Sequence, residues 1–344
     1  MHNIGKCLVI GLFCLLNSTI YAQQHFRIME YNVENLFDYE HDSLKQDKEF
    51  LPSSLRGWNS FRFYKKVQHI AQVILAATGK HIPDIVGICE IENERCAKAL
   101  AYQSPLRTLG YKYLITESQD PRGIDVAVFY QPATFRYLGH QAIRIDFYGT
   151  RRPTRDVLHI MGQVVSGDTL DVFLLHSPSR ANGKKASEPY RIAVAQKVKH
   201  IADSICHNRK APHILIMGDF NDTAQNKSLQ DTWQSVPPQE PYVSSHYYNL
   251  FANEKRGTYK YKGEWELLDH ILVNGRMLQE NSRIRVKKHT AQIFSPPFLL
   301  TTDKEYGGEK PFKTYHGMKY QGGFSDHLPL IVDVEIDIPQ TLLF

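Results

Sequence analysis

The sequence has little cysteine, and the cysteines that it has form no pattern. Five occur in 344 residues. Cys7 and Cys14 fall in the amino-terminal segment, so the rest of the chain holds Cys89, Cys96 and Cys206. An odd number at these spacings fits neither a disulfide framework nor a zinc site. Cys89 lies in an apolar run, and we expect it to behave as a small core residue.

The sequence also lacks an apolar run long enough to span a membrane. Residues 7–16 are apolar, follow a weakly basic lead and precede a small, polar exit that ends in Ala22. This layout predicts a signal peptide over residues 1–22 and export to the periplasm or the outside of the cell. A membrane anchor is the alternative, but anchors have longer apolar runs. After removal of the signal we expect no membrane span.

Charge of neither sign dominates the chain. The formal net charge is +5, with 42% hydrophobic and 22% charged residues. This balance is typical of a protein that buries a sizeable core, and it permits anionic partners without requiring them. Because no linker or repeat interrupts the chain, we expect one domain over residues 23–344.

Apolar periodicity predicts many strands and few helices. Helical spacing recurs over residues 59–77 and 186–208, with a short helical stretch at 224–233. Strands are predicted at 26–31, 84–89, 111–116, 124–130, 141–146, 158–165, 171–175, 213–217, 267–273, 283–288 and 330–336. The segments 234–266 and 300–323 are rich in loops. The pattern predicts an α+β fold in which two sheets pack face to face with flanking helices.

Polar side chains stand at the ends of several predicted strands. The apolar run 213–217 ends in Gly218, followed by Asp219 and Asn221, whose spacing by one residue puts them on the same side. An Asx turn is the plain alternative. Other segments end in a similar way, with Asn32, Glu34, Glu90, His176, Asp269, Asp326 and His327. Six such endings predict a shared rim with chemical function.

These side chains form a set of hard oxygen donors with two imidazoles, without a thiolate or a glycine-rich phosphate loop. Such donors select Mg²⁺, Mn²⁺ or Ca²⁺ over zinc. Glu90 with Glu34 or Asn32 would suffice for Mg²⁺, which keeps several waters. A metal of this kind polarises a phosphoryl oxygen, which leaves Asp219 and His327 to handle the attacking water.

Five motifs resemble the endonuclease/exonuclease/phosphatase superfamily and occur in its order between residues 26 and 336. They are Tyr-Asn-Val-Glu-Asn at 31–35, Ile-Cys-Glu-Ile-Glu at 88–92, Gly-Asp-Phe-Asn-Asp at 218–222, Leu-Leu-Asp-His-Ile-Leu at 267–272 and Ser-Asp-His-Leu-Pro at 325–329. The resemblance implies a DNase I-like, four-layered sandwich with two mostly antiparallel sheets. It also implies a divalent-metal-dependent phosphoester hydrolase.

The resemblance also implies a role for each site residue. As metal ligands it implies Glu90 first, then Asn32, Glu34 and Asp326. As catalytic residues it implies His176, Asp219, Asn221, Asp269 and His327, and it leaves open whether Asp219 or His327 is the base. As substrate-binding residues it implies Asn221, His176, Arg122 and Asp125. The expected cofactor is Mg²⁺, with Mn²⁺ or Ca²⁺ as alternatives.

Two substrate classes stay open. The first is nucleic acid, cleaved by a secreted nuclease whose basic residues follow the phosphate backbone. Those residues are Arg151, Arg152, Arg155, Lys184, Lys185, Arg283, Arg285, Lys287 and Lys288. The alternative is a phosphatase or headgroup phosphodiesterase for inositol-phosphate or lipid-type phosphoesters, with residues 300–323 as a selective wall. The complete set of candidate site residues counts against a silent binding protein, and no protein partner is implied.

Overall fold

Two β-sheets stack face to face in the computed structural model, which describes residues 23–79, 81–147, 153–181 and 183–338. The predicted signal peptide, residues 1–22, lies outside the described residues, as do Arg151 and Arg152. Among the helices of the described ranges, none is both long and apolar enough to cross a bilayer.

Helix α1 spans Ser60–Ala76, α2 spans Glu94–Tyr102 and α3 spans Lys184–Asn208. Helices α1 and α2 begin where the sequence provides side-chain caps. The Asn59 side chain accepts a hydrogen bond from the Arg62 amide, and Asn93 accepts one from the Cys96 amide. Each bond satisfies an amide that the first helical turn leaves unpaired.

Strands make up most of the remaining regular structure. In chain order they are β1 (Gln23–Leu36), β2 (Ile85–Ile91), β3 (Lys112–Ile115), β4 (Asp125–Tyr130), β5 (Arg136–Ile143), β6 (Val157–Gln163), β7 (Thr169–His176), β8 (His213–Asp219), β9 (Tyr247–Asn249), β10 (Tyr259–Tyr261), β11 (Glu264–Glu266), β12 (Asp269–Asn274), β13 (Ile284–Val286), β14 (Gln292–Ile293), β15 (Leu300–Thr302), β16 (Glu309–Pro311), β17 (Tyr315–His316), β18 (Lys319–Tyr320) and β19 (Leu330–Asp337).

The two large sheets share one design. The first has the order β13-β19-β1-β2-β4-β3, with β14 also paired to β19, and the second has the order β5-β6-β7-β8-β12-β9. Among the described strands, β1 and β2 form the parallel pair of the first sheet, and β7 and β8 that of the second. The other pairs within these two sheets are antiparallel. The predicted mostly antiparallel character is therefore confirmed.

Alternation along the strands sorts side chains between two faces. On β1, Phe26 and Ile28 enter the apolar core between the sheets, whereas Met29 and Tyr31 pack in the core beneath α1 and α2. Helix α3 covers the outer face of the second sheet through a third apolar core. The order of layers is helix, sheet, sheet, helix, as the sequence predicts.

A glycine lets the sheets approach closely near the middle of this sandwich. A Cβ atom built on Gly87 would lie 2.5 Å from the Met217 methyl carbon and 2.9 Å from a Leu174 methyl. Contacts this short are not tolerated, so a larger residue on β2 would force the Met217 and Leu174 side chains to move.

Some predicted boundaries are wrong. The strand expected at 141–146 runs from Arg136 to Ile143, and nearly all of its side chains are exposed, so it has no apolar alternation to mark its start. The helical stretch expected at 224–233 is a single π-helical turn over Ser228–Trp233. The segments expected to be loops contain the hairpins β10–β11, β15–β16 and β17–β18. Strands of two or three residues are too short to show a period.

Candidate active site

Polar residues of both sheets meet at one edge of the sandwich. The carboxyl ends of the two parallel pairs carry Asn32 and Glu90 in the first sheet and His176 and Asp219 in the second. In the second sheet His176 and Asp269 each lie opposite Asp219 in register. The edge therefore collects side chains that are far apart in sequence.

Asp219 is the centre of this group. Its Oδ2 accepts hydrogen bonds from Asn32 Nδ2 at 3.1 Å and Asn221 Nδ2 at 3.2 Å. The same oxygen lies 3.5 Å from His176 Nε2 and 4.0 Å from His327 Nε2. The residue is 1% exposed. Burial raises the pKa of Asp219 to about 7, the Asp269 charge adds to that rise, and His327 opposes it.

Asp269 sets the orientation of His327. Its Oδ2 lies 2.8 Å from His327 Nδ1 and also accepts a hydrogen bond from the Thr258 hydroxyl. This contact turns the other ring nitrogen toward Asp219. Burial alone would lower the pKa of His327, but the Asp269 carboxylate raises it well above the usual value, with help from Asp219 and Asp326. The ring therefore favours the charged form that carboxylates stabilise.

Glu90 lines the cavity, with 15% of its side chain exposed. Its Oε2 accepts a hydrogen bond from the Asn35 amide at 2.9 Å. Its Oε1 lies 3.4 Å from Asn32 Nδ2 and 3.8 Å from His176 Nε2. Backbone and amide donors thus orient a carboxylate that still reaches solvent.

The backbone is strained in the segments that carry these side chains. Glu34, Asn35, Glu90 and Asn221 all have positive φ angles, between 51° and 68°. Residues other than glycine rarely adopt this region, and such strain is concentrated at functional sites. Gly218 has φ 142°, and a Cβ atom there would lie 1.9 Å from the Leu175 carbonyl oxygen. Only glycine fits immediately before Asp219.

The expected metal ligands do not all face the same way. Glu90 and Asp326 line a cavity of about 500 Å³. Asn32 lies beside it and donates to Glu90 and Asp219. Glu34 instead accepts hydrogen bonds from the amides of Thr314, at 2.6 Å, and Tyr315, at 3.3 Å. Burial raises the pKa of Glu34 to about 7.

The cavity combines an acidic floor with a cationic and aromatic rim. The floor has Glu90, Asp219 and Asp326; the rim has Arg122, Arg180, Lys184, Tyr259 and Tyr261. Sequence reasoning missed Arg180 and both tyrosines as cavity residues. Arg180 Nη1 donates to Glu266 at 2.7 Å, and Tyr259 reaches the site through a backbone bridge to His327. For Arg180 the sequence signal is its position four residues after His176. The two tyrosines have no comparable signal.

Asp125 lies outside that cavity, unlike Arg122. Its buried carboxylate accepts hydrogen bonds from the Thr116 hydroxyl and the Ser118 amide, so it orders the loop between β3 and β4. Burial raises the pKa of Asp125 to about 7, although the hydrogen bonds from Thr116 and Ser118 oppose the rise.

This raised pKa predicts a pH-dependent gain in stability for Asp125→Asn. Between its usual pKa of 3.8 and about 7, the folded state keeps a proton that the unfolded state releases, so wild-type stability falls as pH rises. Asparagine cannot ionise. We expect the melting temperature of the variant relative to wild type to rise by a few degrees from about pH 4 to about pH 8, measured by calorimetry. Exposed Glu117→Gln is the control; a difference that is constant with pH would contradict this assignment.

The donor set fits a divalent metal ion. Glu90 and Asp326 supply carboxylate oxygens at the cavity, and the negative charge of Glu90 raises the pKa of both Asp326 and Asp219, after the larger effect of burial. Like charges placed close together disfavour ionisation, and a bound cation would offset this repulsion. Asp219, Asp269 and His327 form a second buried group, with ligand atoms within 4.8 Å of one another. Glu90 and Asp326 line the same cavity as Asp219 and His327 of this group.

Solved structures with this fold cover nearly the whole chain. One is an endonuclease/exonuclease/phosphatase family protein from Bacteroides thetaiotaomicron, with 15% identity, TM-score 0.57, and coverage of 92% of this chain and 97% of the other. A mannosyl-6-phosphatase of Bacteroides thetaiotaomicron VPI-5482 has 17% identity, TM-score 0.55 and coverage of 90% and 99%. D. rerio TDP2, complexed with a single-strand DNA product, has 13% identity, TM-score 0.56 and coverage of 90% and 98%.

No curated protein sequence matches the chain. The sequence profile of the Endonuclease/Exonuclease/phosphatase family matches residues 27–336. This range contains all five motifs and every residue placed at the cavity. The chain therefore belongs to the Endonuclease/Exonuclease/phosphatase family and is a phosphoester hydrolase of the divalent-metal-dependent kind with a DNase I-like fold.

Proposed function

We propose that this enzyme hydrolyses compact phosphoesters, that is, phosphomonoesters or small phosphodiesters, with Mg²⁺ as its metal ion. The observation that carries the proposal is the position of the basic residues. Arg122, Arg180 and Lys184 line the cavity itself. The largest basic stretch of the sequence, residues 283–288, lies on a different part of the molecule.

Strand register gives the position of that stretch along β19, counted from the strand end that lies nearest in sequence to His327. Val286 on β13 pairs with Val334 on β19, and Ile284 pairs with Ile336. His327 precedes the start of β19 at Leu330. At about 3.3 Å per residue, Val334 lies about 13 Å further along the strand than Leu330. Basic residues at the far end of the sheet are poorly placed to hold the backbone of a scissile strand.

Acidic neighbours also neutralise the basic stretch. Arg285 pairs with Asp337 at 2.9 Å, and Lys288 pairs with Glu280 at 3.1 Å. Arg155, another of the expected backbone contacts, is buried against Asp120 at 3.1 Å. Paired cations add little to the field that attracts a polyanion.

The residues of the cavity suffice for phosphoester hydrolysis. When bound, the ion polarises a phosphoryl oxygen and stabilises the leaving oxygen. Glu90 and Asp326 hold it, and Asn32 orients Glu90. Asn221 and His176, which line the cavity, contact the phosphate oxygens. Asp219 and His327, whose Oδ2 and Nε2 atoms are 4.0 Å apart, share the proton of the attacking water.

A nuclease, which is the first candidate from the sequence, is the second candidate here. Arg122 and Lys184 are both exposed at the cavity rim, where they fit phosphates next to the scissile one. Among proteins with this fold, TDP2 is complexed with a DNA product and another acts as a mannosyl-6-phosphatase. The fold therefore accommodates both substrate classes, and function depends on the site.

We also keep export and a single catalytic domain over residues 23–344 as proposals. The amino terminus of the secreted protein, read by mass spectrometry, tests the first. We expect it to begin at Gln23. A retained Met1 in the membrane fraction would instead support the anchor.

A hydrolysis panel tests the proposed function. Purified residues 23–344 are incubated with Mg²⁺, Mn²⁺ or Ca²⁺, and with EDTA as the control. The substrates are hexose and inositol phosphates, bis-p-nitrophenyl phosphate, sphingomyelin, plasmid and single-stranded DNA, and RNA. We expect metal-dependent turnover of small phosphoesters with little cleavage of nucleic acid. Faster cleavage of DNA or RNA would transfer the assignment to the nuclease, and no turnover would reject both.

Neutralising the remote basic stretch separates the two candidates. We expect the triple variant R283Q/K287Q/K288Q to keep kcat/KM within about twofold of wild type on every active substrate, because these residues lie far from the cavity and are paired. A nuclease that uses them would lose affinity for DNA, and its salt dependence would become shallower. Lys184→Gln, at the cavity rim, is the comparison variant and should raise KM in either case.

A further inference from the structure

Lys66 is a lysine that the chain buries completely. It lies on α1, is 1% exposed, and its ammonium is 3.9 Å from the nearer Glu34 oxygen. The same nitrogen donates hydrogen bonds to Thr314 Oγ1 and the Phe324 carbonyl, each at 2.5 Å. Removing an ammonium from water is unfavourable unless it is fully hydrogen-bonded and paired. A buried lysine with three such partners therefore suggests a specific role.

We propose that Lys66 is a positioning residue, which holds the segment 312–326 so that Asp326 and His327 face Glu90 and Asp219. The proposal rests on the proposed function, because it concerns the geometry of the same site. None of the five motifs contains Lys66.

The first step concerns a loop, residues 314–324, here called the excursion. Its two ends, Thr314 and Phe324, form its neck, and Lys66 closes this neck. Residues 314–324 carry the hairpin β17–β18 and return, while Tyr315 and Phe324 pack in the core beneath α1 and α2. Thr314 and Phe324 stand at the two ends of this excursion, and Lys66 binds both. The Gln321 amide donates to the Thr314 carbonyl at 2.8 Å across the same neck. One ammonium thus fastens the start and the end of the excursion to α1.

The second step is that the neck is also attached to β1. Glu34 accepts the Thr314 amide at 2.6 Å while it pairs with Lys66. The second carboxylate oxygen of Glu34 accepts a hydrogen bond from the Tyr315 amide, so both oxygens have a partner in this segment. Lys66, Glu34 and Thr314 therefore form one polar junction between α1, the end of β1 and the excursion.

The third step is that the neck leads directly into the site. Immediately after Phe324, the Ser325 hydroxyl donates to the Asn32 carbonyl at 2.7 Å and accepts the His327 amide at 3.1 Å. Asp326 and His327 follow within three residues of the carbonyl that Lys66 holds. Because reacting groups misplaced by about 1 Å lower the rate strongly, a loose Phe324 would impair both residues.

The test is Lys66→Met in the full mature chain, with Lys98→Met as the matched control on the exposed face of α2. Kinetics use bis-p-nitrophenyl phosphate with Mg²⁺, and amide hydrogen exchange is followed by mass spectrometry. We expect kcat to fall about 30-fold with KM within about threefold of wild type. Exchange over 312–326 should accelerate at least about tenfold while 214–217 stays protected. A kcat within about threefold of wild type with unchanged exchange would overturn the proposal.

Thr314→Val is the second variant, because it removes one acceptor and keeps the shape of the side chain. We expect kcat to fall about threefold to tenfold, and Thr314→Ser to restore it. If Lys66→Met does not fold, the two variants at position 314 decide. Equal kcat values for Thr314→Val and Thr314→Ser would overturn the proposal. If wild type shows no metal-dependent turnover, the proposed function fails. Hydrogen exchange over 312–326 then supports or overturns the positioning role alone.

Discussion

Glu90→Gln is expected to reduce metal-dependent turnover by about 10³-fold, one of the two largest effects of a single change at the cavity. Glutamine keeps the shape and one acceptor oxygen, so the Asn35 amide keeps its partner. The change removes the negative charge with which Glu90, as proposed, would hold a divalent ion. Because Glu90 points into a cavity and is 15% exposed, the substitution leaves the apolar cores untouched.

Two measurements separate this effect from a loss of fold. Titration calorimetry should show Mg²⁺ affinity at least about tenfold weaker, while the melting temperature stays within a few degrees of wild type. Glu94→Gln, at the exposed first turn of α2, is the matched control and should keep full activity. Glu90→Gln with kcat/KM within about tenfold of wild type would show that Glu90 is not the main metal ligand.

Asp219→Asn is expected to lower kcat by a similar factor, about 10³-fold, for a different reason. Two amide groups donate to Asp219 Oδ2, and two imidazole nitrogens lie within 4.0 Å of it. The substitution removes the carboxylate charge that these groups surround. If the NH₂ group of the asparagine takes the place of Oδ2, it faces the amide donors of Asn32 and Asn221, so donor meets donor inside a buried site. The group that shares the proton of water is lost as well.

Comparison of the two variants makes the assignment testable. Asp219→Asn should keep Mg²⁺ affinity within about tenfold of wild type while single-turnover hydrolysis slows, whereas Glu90→Gln should weaken both. Asp203→Asn, on an exposed face of α3, is the control for a neutral change of the same type. Equal loss of metal affinity in both site variants would place Asp219 among the ligands.

Local pattern was enough to predict the layers and the strand ends. The spacing of Phe63, Val67 and Ile70 predicts the buried face of α1, and all three are buried. Asp219 and Glu90 were predictable at strand ends because each follows an uninterrupted apolar run, which predicts a strand buried on both faces.

Contacts between distant segments escaped prediction. Lys66 shares the buried face of α1, yet its charge suggests solvent, and its partners lie about 250 residues further along the chain. Tyr259 reaches His327 through a hairpin whose strands have three residues each. Glu34 follows the motif spacing of a metal ligand, but the backbone of 314–315 occupies its oxygens. Such partners depend on the fold rather than on local periodicity.

The pairing of β19 with β1 has a consequence for biosynthesis. Strand β1 is made first and β19 more than 290 residues later, yet they are neighbours from Gln23–Asp337 to Glu30–Leu330. Asp326 and His327 emerge from the ribosome just before β19. A nascent chain that has not reached residue 326 therefore lacks two residues of the candidate site, and one of them is the imidazole that faces Asp219. If the chain is exported before it folds, as proposed above, it would leave the phosphoesters of its cell of origin intact.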